Sequence, residues 1–293
     1  MTGWWSQPAR RRAVLLMAGG AGLAGCSSRG APQPGGPGAS SSPGRHSTTA
    51  PGVSLPPVRR WVPSPDDVAP ACKLAAVRLV ERRGNCASTA LEVVDAQYGG
   101  ILTDSACVLL VCRSWRLAHG SLTADGHTYD VRLSRASAGA WRVTAVHPSR
   151  PGPPGARSEA ARRVLASVRI DLPPAARADV ESGRVHDSVL TAMLGLARTY
   201  RIGVSVVRSG HPLHVFGTDR LSDHPLGRAF DTWRINGRAV VDPDTPERLV
   251  TGYMRALAGV GSYNVGGPFL LGAAPQFFSD ATHHDHVHAG FVT

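Results

Sequence analysis

The sequence predicts an α+β protein, and three observations point that way. Helical and strand periodicities mix along the 293 residues without the repeating strand–helix–strand rhythm of a parallel sheet. After residue 65, short β-branched and apolar runs lie between turn signals, the pattern of antiparallel strands. Hydrophobic residues make up 42% of the chain, enough to bury a real core.

The formal charge is +11, and Lys73 is the only lysine among 32 basic residues. The arginines are spread along the chain and form no basic cluster interleaved with aromatics, so nucleic acid is not an expected partner. Such a surface is still drawn to anionic wall polymers and lipid headgroups.

Residues 1–26 read as a secretory signal. In "PARRRAVLLMAGGAGLAGC" (8–26) three arginines precede an apolar run that is too short and glycine-rich to span a bilayer. Paired arginines there also allow twin-arginine export. The ending "LAGC" resembles the lipobox of bacterial lipoproteins, which implies a lipidated Cys26 tethering the protein to the outer face of the cell membrane. Residues 27–65 are rich in Pro, Gly and Ser and read as a disordered linker, because they bury too little apolar surface to offset their ordering entropy.

Residues 66–150 read as a small α+β domain. "DDVAPACKLAAVRLVERRG" has helical spacing, with Cys72, Ala76, Leu79 and Val80 near one face. "TALEVVDAQYG", "ACVLLVCRSWRLA", "TYDVRLSRAS" and "AWRVTAVHP" read as strands, the last two as a hairpin. In an exported chain the even set Cys72, Cys86, Cys107 and Cys112 predicts two disulfides of open pairing. His119, His127 and His147 are isolated, and no catalytic constellation is expected in this stretch.

The prolines and glycines of "HPSRPGPPGARSE" mark a boundary, and 156–293 read as the second domain. "RSEAARRVLASVRI" and "HDSVLTAMLGLARTYRI" have helical periodicity, with Val189, Met193, Leu196 and Ala197 on one face of the second. "GVSVVRSG" reads as a strand, and "GRAFDTWRINGRAVV" as a hairpin turning at Asn236-Gly237. A helix follows, capped at Asp244 or Thr245 and ending at Gly259. "DHVHAGFVT" reads as a closing strand with His286 and His288 on one face.

"SDHPLGRAFD" (222–231) and "DHVH" (285–288) carry the chemistry. Imidazole and carboxylate are the ligands that zinc prefers in a tetrahedral shell. The first stretch fits S-x-H-x-x-G-x-A-x-D and the second supplies a late H-x-H. Together they resemble the LAS zinc peptidases, which include D-alanyl-D-alanine carboxypeptidases, murein endopeptidases and hedgehog domains. The resemblance covers about 185–293. It implies a small antiparallel sheet with flanking helices and one zinc ion per chain, held by His224, Asp231 and His288. Ser222 and Gly227 would shape the loop that presents His224.

Members of that group with E-x-x-H have a glutamate where this chain has Asp285, and the resemblance leaves Asp285 and His286 sharing the role around the attacking water. Arg208 in "VVRSGHP" is the candidate second positive group, while His283 and His284 read as solvated neighbours and Trp233 as a core residue. The implied function is hydrolysis of peptidoglycan stem peptides or crosslinks in the cell wall. A zinc-holding binding module with little hydrolysis is the alternative, supported by the missing glutamate. In a third reading the cysteine-bearing domain does the work by recruiting a wall polymer or a protein.

Overall fold

The computed structural model describes residues 53–136 and 139–293. The expected signal sequence, Cys26 and most of the expected linker lie outside the described residues. Helix α1 (Pro70–Gly84) opens the fold, with Pro70 at its first turn, a position where the missing amide costs nothing. Five strands follow: β1 (Thr89–Ile101), β2 (Ser105–Ala118), β3 (Ser121–Asp125), β4 (Thr128–Ser134) and β5 (Arg142–Pro148). They form an antiparallel sheet of order β1-β2-β4-β5, with β3 paired to β2. The expected β4–β5 hairpin is present, and β3 is an addition that its fully exposed residues do not advertise.

A mixed sheet and four helices make up the rest. In chain order they are α2 (Glu159–Ala166), β6 (Ile170–Asp171), α3 (Pro174–Glu181), α4 (Asp187–Leu196), β7 (Ile202–Val204), β8 (Ala229–Ile235), β9 (Arg238–Ala239), α5 (Glu247–Gly259), β10 (Asn264–Gly266), β11 (Phe277–Phe278) and β12 (Val287–Gly290). The strand order is β11-β10-β12-β8-β7-β6, with β9 paired to β8. The outer pairs β10–β11 and β6–β7 are parallel, and the central pairs are antiparallel. The chain is α+β, as expected.

The hairpin turn falls at Asn236-Gly237, both with positive φ (52° and 83°), the conformation a primed two-residue turn demands. Helix α5 ends at Gly259 as expected but begins differently. Its cap residue is Pro246, which makes no side-chain capping bond. Thr245 Oγ1 instead donates to the Ala239 carbonyl at 2.6 Å, so the predicted cap is spent on tying the β9 end to the helix.

Strand β2 explains how the halves join. Its Val108, Leu110 and Cys112 pack under α1 with Ala76, Val77, Leu91 and Val131. Its opposite face, Cys107, Leu109 and Val111, packs on Val206 from the second half. A strand buried on both faces reads as the unbroken apolar run "ACVLLVC" rather than as an alternation.

This arrangement also corrects the disulfide expectation. Cys72, Cys107 and Cys112 are free and buried, so no disulfide joins any two of the four. Cys107 and Cys112 lie five apart on β2 and face opposite cores, while Cys72 sits in the α1 core. The three behave as small apolar side chains. Burial pushes the Cys72 thiol up to about 11 and holds the Cys107 and Cys112 thiols higher still, which leaves them unreactive.

A buried polar seam runs beside these apolar contacts. Lys73 on α1, 1% exposed, reaches Asp285 Oδ2 at 2.7 Å and also pairs with Asp67. Asp67 caps the turn before α1 by accepting the Ser64 amide at 2.8 Å. His284 Nε2 accepts the Val68 amide at 3.0 Å. Tyr98 donates its amide to Asp285 at 3.2 Å, and its hydroxyl lies 3.0 Å and 3.1 Å from the carbonyls of Val68 and Ala69. The Ala69 backbone is left-handed (φ 45°) at the helix entry. The last residues of the expected linker belong to this seam as well. Trp61 packs against the first core, and Ser64 Oγ donates to Val241 O at 2.9 Å.

Removing one partner from such a network leaves an uncompensated buried charge. Lys73→Met is therefore expected to destabilise the protein by about 3–5 kcal/mol, measured by urea denaturation. An unchanged midpoint would mean that the seam contributes nothing.

Candidate metal centre

Asp231 sits in the middle of β8, opposite His288 of β12 in the register of the central pair. The third member comes from a loop. After the bulge that ends β7, Ser205–Val207 keep running beside β8, with the Ser205 amide bonded to Asp231 O (3.0 Å) and the Asp231 amide to Val206 O (2.8 Å). This places the Val207 carbonyl 2.8 Å from His224 Nδ1.

The loop that carries His224 depends on Gly227. The Gly227 φ is +73°, and a Cβ there would lie 2.2 Å from the Arg184 carbonyl oxygen. The Gly227 amide bonds to His224 O (2.8 Å), its carbonyl accepts the His186 amide (2.9 Å), and Ser222 Oγ accepts the His224 amide (3.3 Å). Ser222 through its side chain and Gly227 through its backbone hold the loop that carries His224.

His224 Nε2, Asp231 Oδ1 and His288 Nδ1 converge. The distances are 3.1 Å from His224 to Asp231, 3.2 Å from His224 to His288 and 3.0 Å from His288 to Asp231. Adjacent ligands in a tetrahedral zinc shell with bonds of about 2.0–2.1 Å stand roughly 3.3 Å apart, close to this triangle. His224 Nδ1 donates to the Val207 carbonyl, which turns Nε2 toward the other two atoms. Two imidazole nitrogens and a carboxylate oxygen, all buried, face one another, an arrangement that a proton or a cation between them satisfies. The three residues could hold a metal ion.

The electrostatics agree. Burial alone would raise Asp231, but His224 and then His286 reverse this and hold its carboxyl well below the ordinary range. Burial would lower His224, yet Asp231 and its hydrogen bond raise it overall, so this spot attracts either a proton or a cation. Burial brings His288 down to about 4 against the pull of Asp231, which keeps its imidazole neutral, the state a ligand needs.

Several contacts position the trio from outside it. Gln97 on β1, fully buried, donates Nε2 to Asp231 Oδ2 at 2.6 Å. His211 stacks on the His224 ring at a centroid distance of 4.3 Å. His286 Nε2 lies 3.9 Å from Asp231 Oδ2, and its Nδ1 lies 2.6 Å from Asp285 Oδ1. Asp285 takes its remaining contacts from Lys73 and the Tyr98 amide. Burial would raise Asp285, but Lys73 foremost and His286 with it hold it well below the usual carboxylate range. Asp285 therefore stays ionised behind His286 and does not line the cleft, whereas His286 does.

The trio and His286 sit in a cleft of about 350 Å³ that is also lined by Tyr98–Leu102, Phe216, Arg220, Phe278 and His283. Expectation and structure part at four places here. Arg208 is outside this lining: its guanidinium donates to Pro151 O at 2.5 Å and lies 3.6 Å from Asp179, so it holds the 150s segment in place. The arginine that does line the cleft is Arg220. His283 lies in the lining rather than out in solvent, bonded to Asp280 at 2.8 Å and packed on Phe278, and His284 belongs to the seam. Trp233 is half-buried under the Arg234 guanidinium (4.4 Å to the ring centroid) and not in the core.

The first half was expected to hold no catalytic constellation, yet it supplies Lys73, Gln97 and Tyr98 to this site. One signal pointed there: the single lysine of an arginine-rich chain lies on the helix face that also carries Cys72, Ala76 and Val80.

Comparison with protein-family models, curated proteins and solved structures found no match to this chain. The donor set and its distances are therefore the basis for any assignment.

Outer hydrogen bonds to metal ligands tune affinity strongly. Gln97→Leu keeps the volume and removes the donor, and is expected to weaken divalent-metal binding roughly 10- to 100-fold, measured by chelator competition. Unchanged affinity would show that the 2.6 Å bond to Asp231 does not act on the trio.

Proposed function

We propose that this chain is a zinc-dependent peptidase of the LAS type, exported and lipid-anchored through Cys26, that hydrolyses peptide bonds of peptidoglycan stem peptides or crosslinks. One observation carries the reading: two imidazoles and a carboxylate converge within 3.2 Å of one another in a peptide-sized cleft beside a histidine backed by an aspartate. Export and anchoring rest on residues 8–26 of the sequence.

A bound zinc ion would supply Lewis acidity, bringing the pKa of a water toward about 7 and polarising the scissile carbonyl. The chain's own residues do the rest. Asp285 accepts the Nδ1–H of His286, which fixes the tautomer and leaves Nε2 free toward the trio. That nitrogen accepts the proton of the attacking water and returns it to the leaving amine. Asp285 stabilises the imidazolium that forms and is itself a positioning residue. Lys73 and the Tyr98 amide keep that carboxylate ionised and still. Gln97 holds Asp231 with one oxygen toward the trio. Arg220 is the cleft cation placed to meet an anionic substrate group.

A second reading is favoured by one feature. The aspartate standing where many relatives of the motif have glutamate is tied to Lys73, so a base role falls to His286 alone. A zinc-holding module that binds wall peptides with little turnover has the same donor set.

Metal analysis of the purified protein separates these possibilities in two steps. About one zinc per chain is expected in the wild type and none in folded His224→Ala; a metal-free, zinc-supplemented wild type would sink both readings. Turnover of a D,D-dipeptide and muropeptide panel should vanish with chelator. It should also fall roughly 10²- to 10⁴-fold in His286→Ala at unchanged zinc content. A zinc-loaded wild type that cleaves nothing on the panel would leave the binding module as the better account.

A further inference from the structure

The cleft has a wall that the metal chemistry does not use. Five consecutive residues, Tyr98–Leu102, line it at the end of β1. β1 is the terminal strand of its sheet, so among the described residues no strand covers its outer edge. That edge faces the site, because the Tyr98 amide on it donates to Asp285.

The ladder register says which backbone groups are available there. The Leu102 amide bonds to Ser105 O at 2.8 Å, which makes Leu102 and Ser105 a hydrogen-bonded pair. Ile101 is opposite Ala106 in the next pair and Gly100 opposite Cys107 beyond it. Hydrogen-bonded and non-bonded pairs alternate in an antiparallel ladder. The N–H and C=O of Ile101 therefore turn away from β2, toward the cleft. A register shift between Tyr98 and Gly100 isolates this stretch from the part of the edge taken by Asp285.

The side chains around it are fixed. Ile101 packs against the first core. Phe216 lies over Gly100, where a Cβ would come within 2.1 Å of the Phe216 Cβ, and the Arg132 guanidinium holds its ring from 5.4 Å. An outward donor and acceptor on one rigid residue, beside an aromatic shelf, form half of a strand pairing.

We propose that the edge of β1 at Ile101 binds the backbone of an extended peptide, which adds as a strand along the cleft and runs past the His224–Asp231–His288 trio. This assigns the substrate class as a peptide long enough to reach both features, read through its main chain. It rests on the peptidase reading for the identity of the ligand.

The test uses the full-length, zinc-loaded protein in a His286→Ala background, so that peptides stay intact, and calorimetric binding of a synthetic stem pentapeptide ending in D-Ala-D-Ala. Ile101→Pro removes the outward N–H, at a position where it makes no bond to β2, together with part of the side chain that packs on the first core. It is expected to weaken binding roughly 5- to 10-fold, the scale of one hydrogen bond, while Ile101→Val stays within about two-fold. N-acetyl-D-Ala-D-Ala, too short to span both features, should bind the Pro and Val variants equally.

Equal binding of the pentapeptide by the two variants, or no binding by the parent, overturns the proposal. Should Ile101→Pro fail to fold by circular dichroism, N-methylation along the pentapeptide decides on the parent protein. One position that weakens binding by the same factor supports the pairing, and tolerance at every position overturns it. Turnover is read separately with the histidine restored. Edge-dependent binding without turnover sinks the peptidase reading alone, and turnover with edge-independent binding sinks the strand addition alone.

Discussion

The arrangement turns on one buried negative charge. Asp231 is 1% exposed in the middle of a central strand, where an isolated carboxylate would cost many kilocalories. The surroundings are built to make that charge tolerable: two imidazoles on one oxygen, the Gln97 amide on the other, and a third histidine at 3.9 Å. The positions of β7, of the Gly227 turn and of β12 follow from bringing those partners to it. A carboxylate so held is a weak base for protons and could serve as a ligand for a cation.

Around this centre the protein repeats one device, a carboxylate that fixes an imidazole. Asp285 does so for His286 and Asp280 for His283. Asp285 needs its own countercharge, and it comes from across the molecule, from Lys73. The chain of contacts Asp67–Lys73–Asp285–His286 thus runs from the turn before α1 to the cleft. The side chain facing the cleft is the last link, and the others hold it in place.

The local parts of this site were legible in the sequence because they are set by short-range rules. Strand parity placed His286 and His288 on one face, the Asn236-Gly237 turn fixed the β8–β9 hairpin, and the spacing from Ser222 to Asp231 fixed a loop followed by a strand. The largest failures depend on long-range partners. Arg208 looked like a cleft residue because it precedes the loop, but Asp179 and Pro151, distant in sequence, decide where its guanidinium goes. The cysteine count suggested covalent staples, whereas an apolar core on each side of β2 takes the thiols as ordinary packing. Gln97 carried no signal, since a single amide in a strand has no spacing to give it away.

The two-faced burial of β2 has a consequence for how such a protein could change over generations. The letters of the candidate metal-binding stretches, 222–231 and 285–288, all lie in the last third of the chain, so the second sheet looks like a module that could travel alone. Cut free, it would keep its three ligands but expose Val206, and Asp231 and Asp285 would lose Gln97, Lys73 and the Tyr98 amide. A descendant that discarded the first sheet would have to re-invent a donor for each carboxylate. The two sheets are therefore expected to be inherited together, and to vary in concert at their shared boundary.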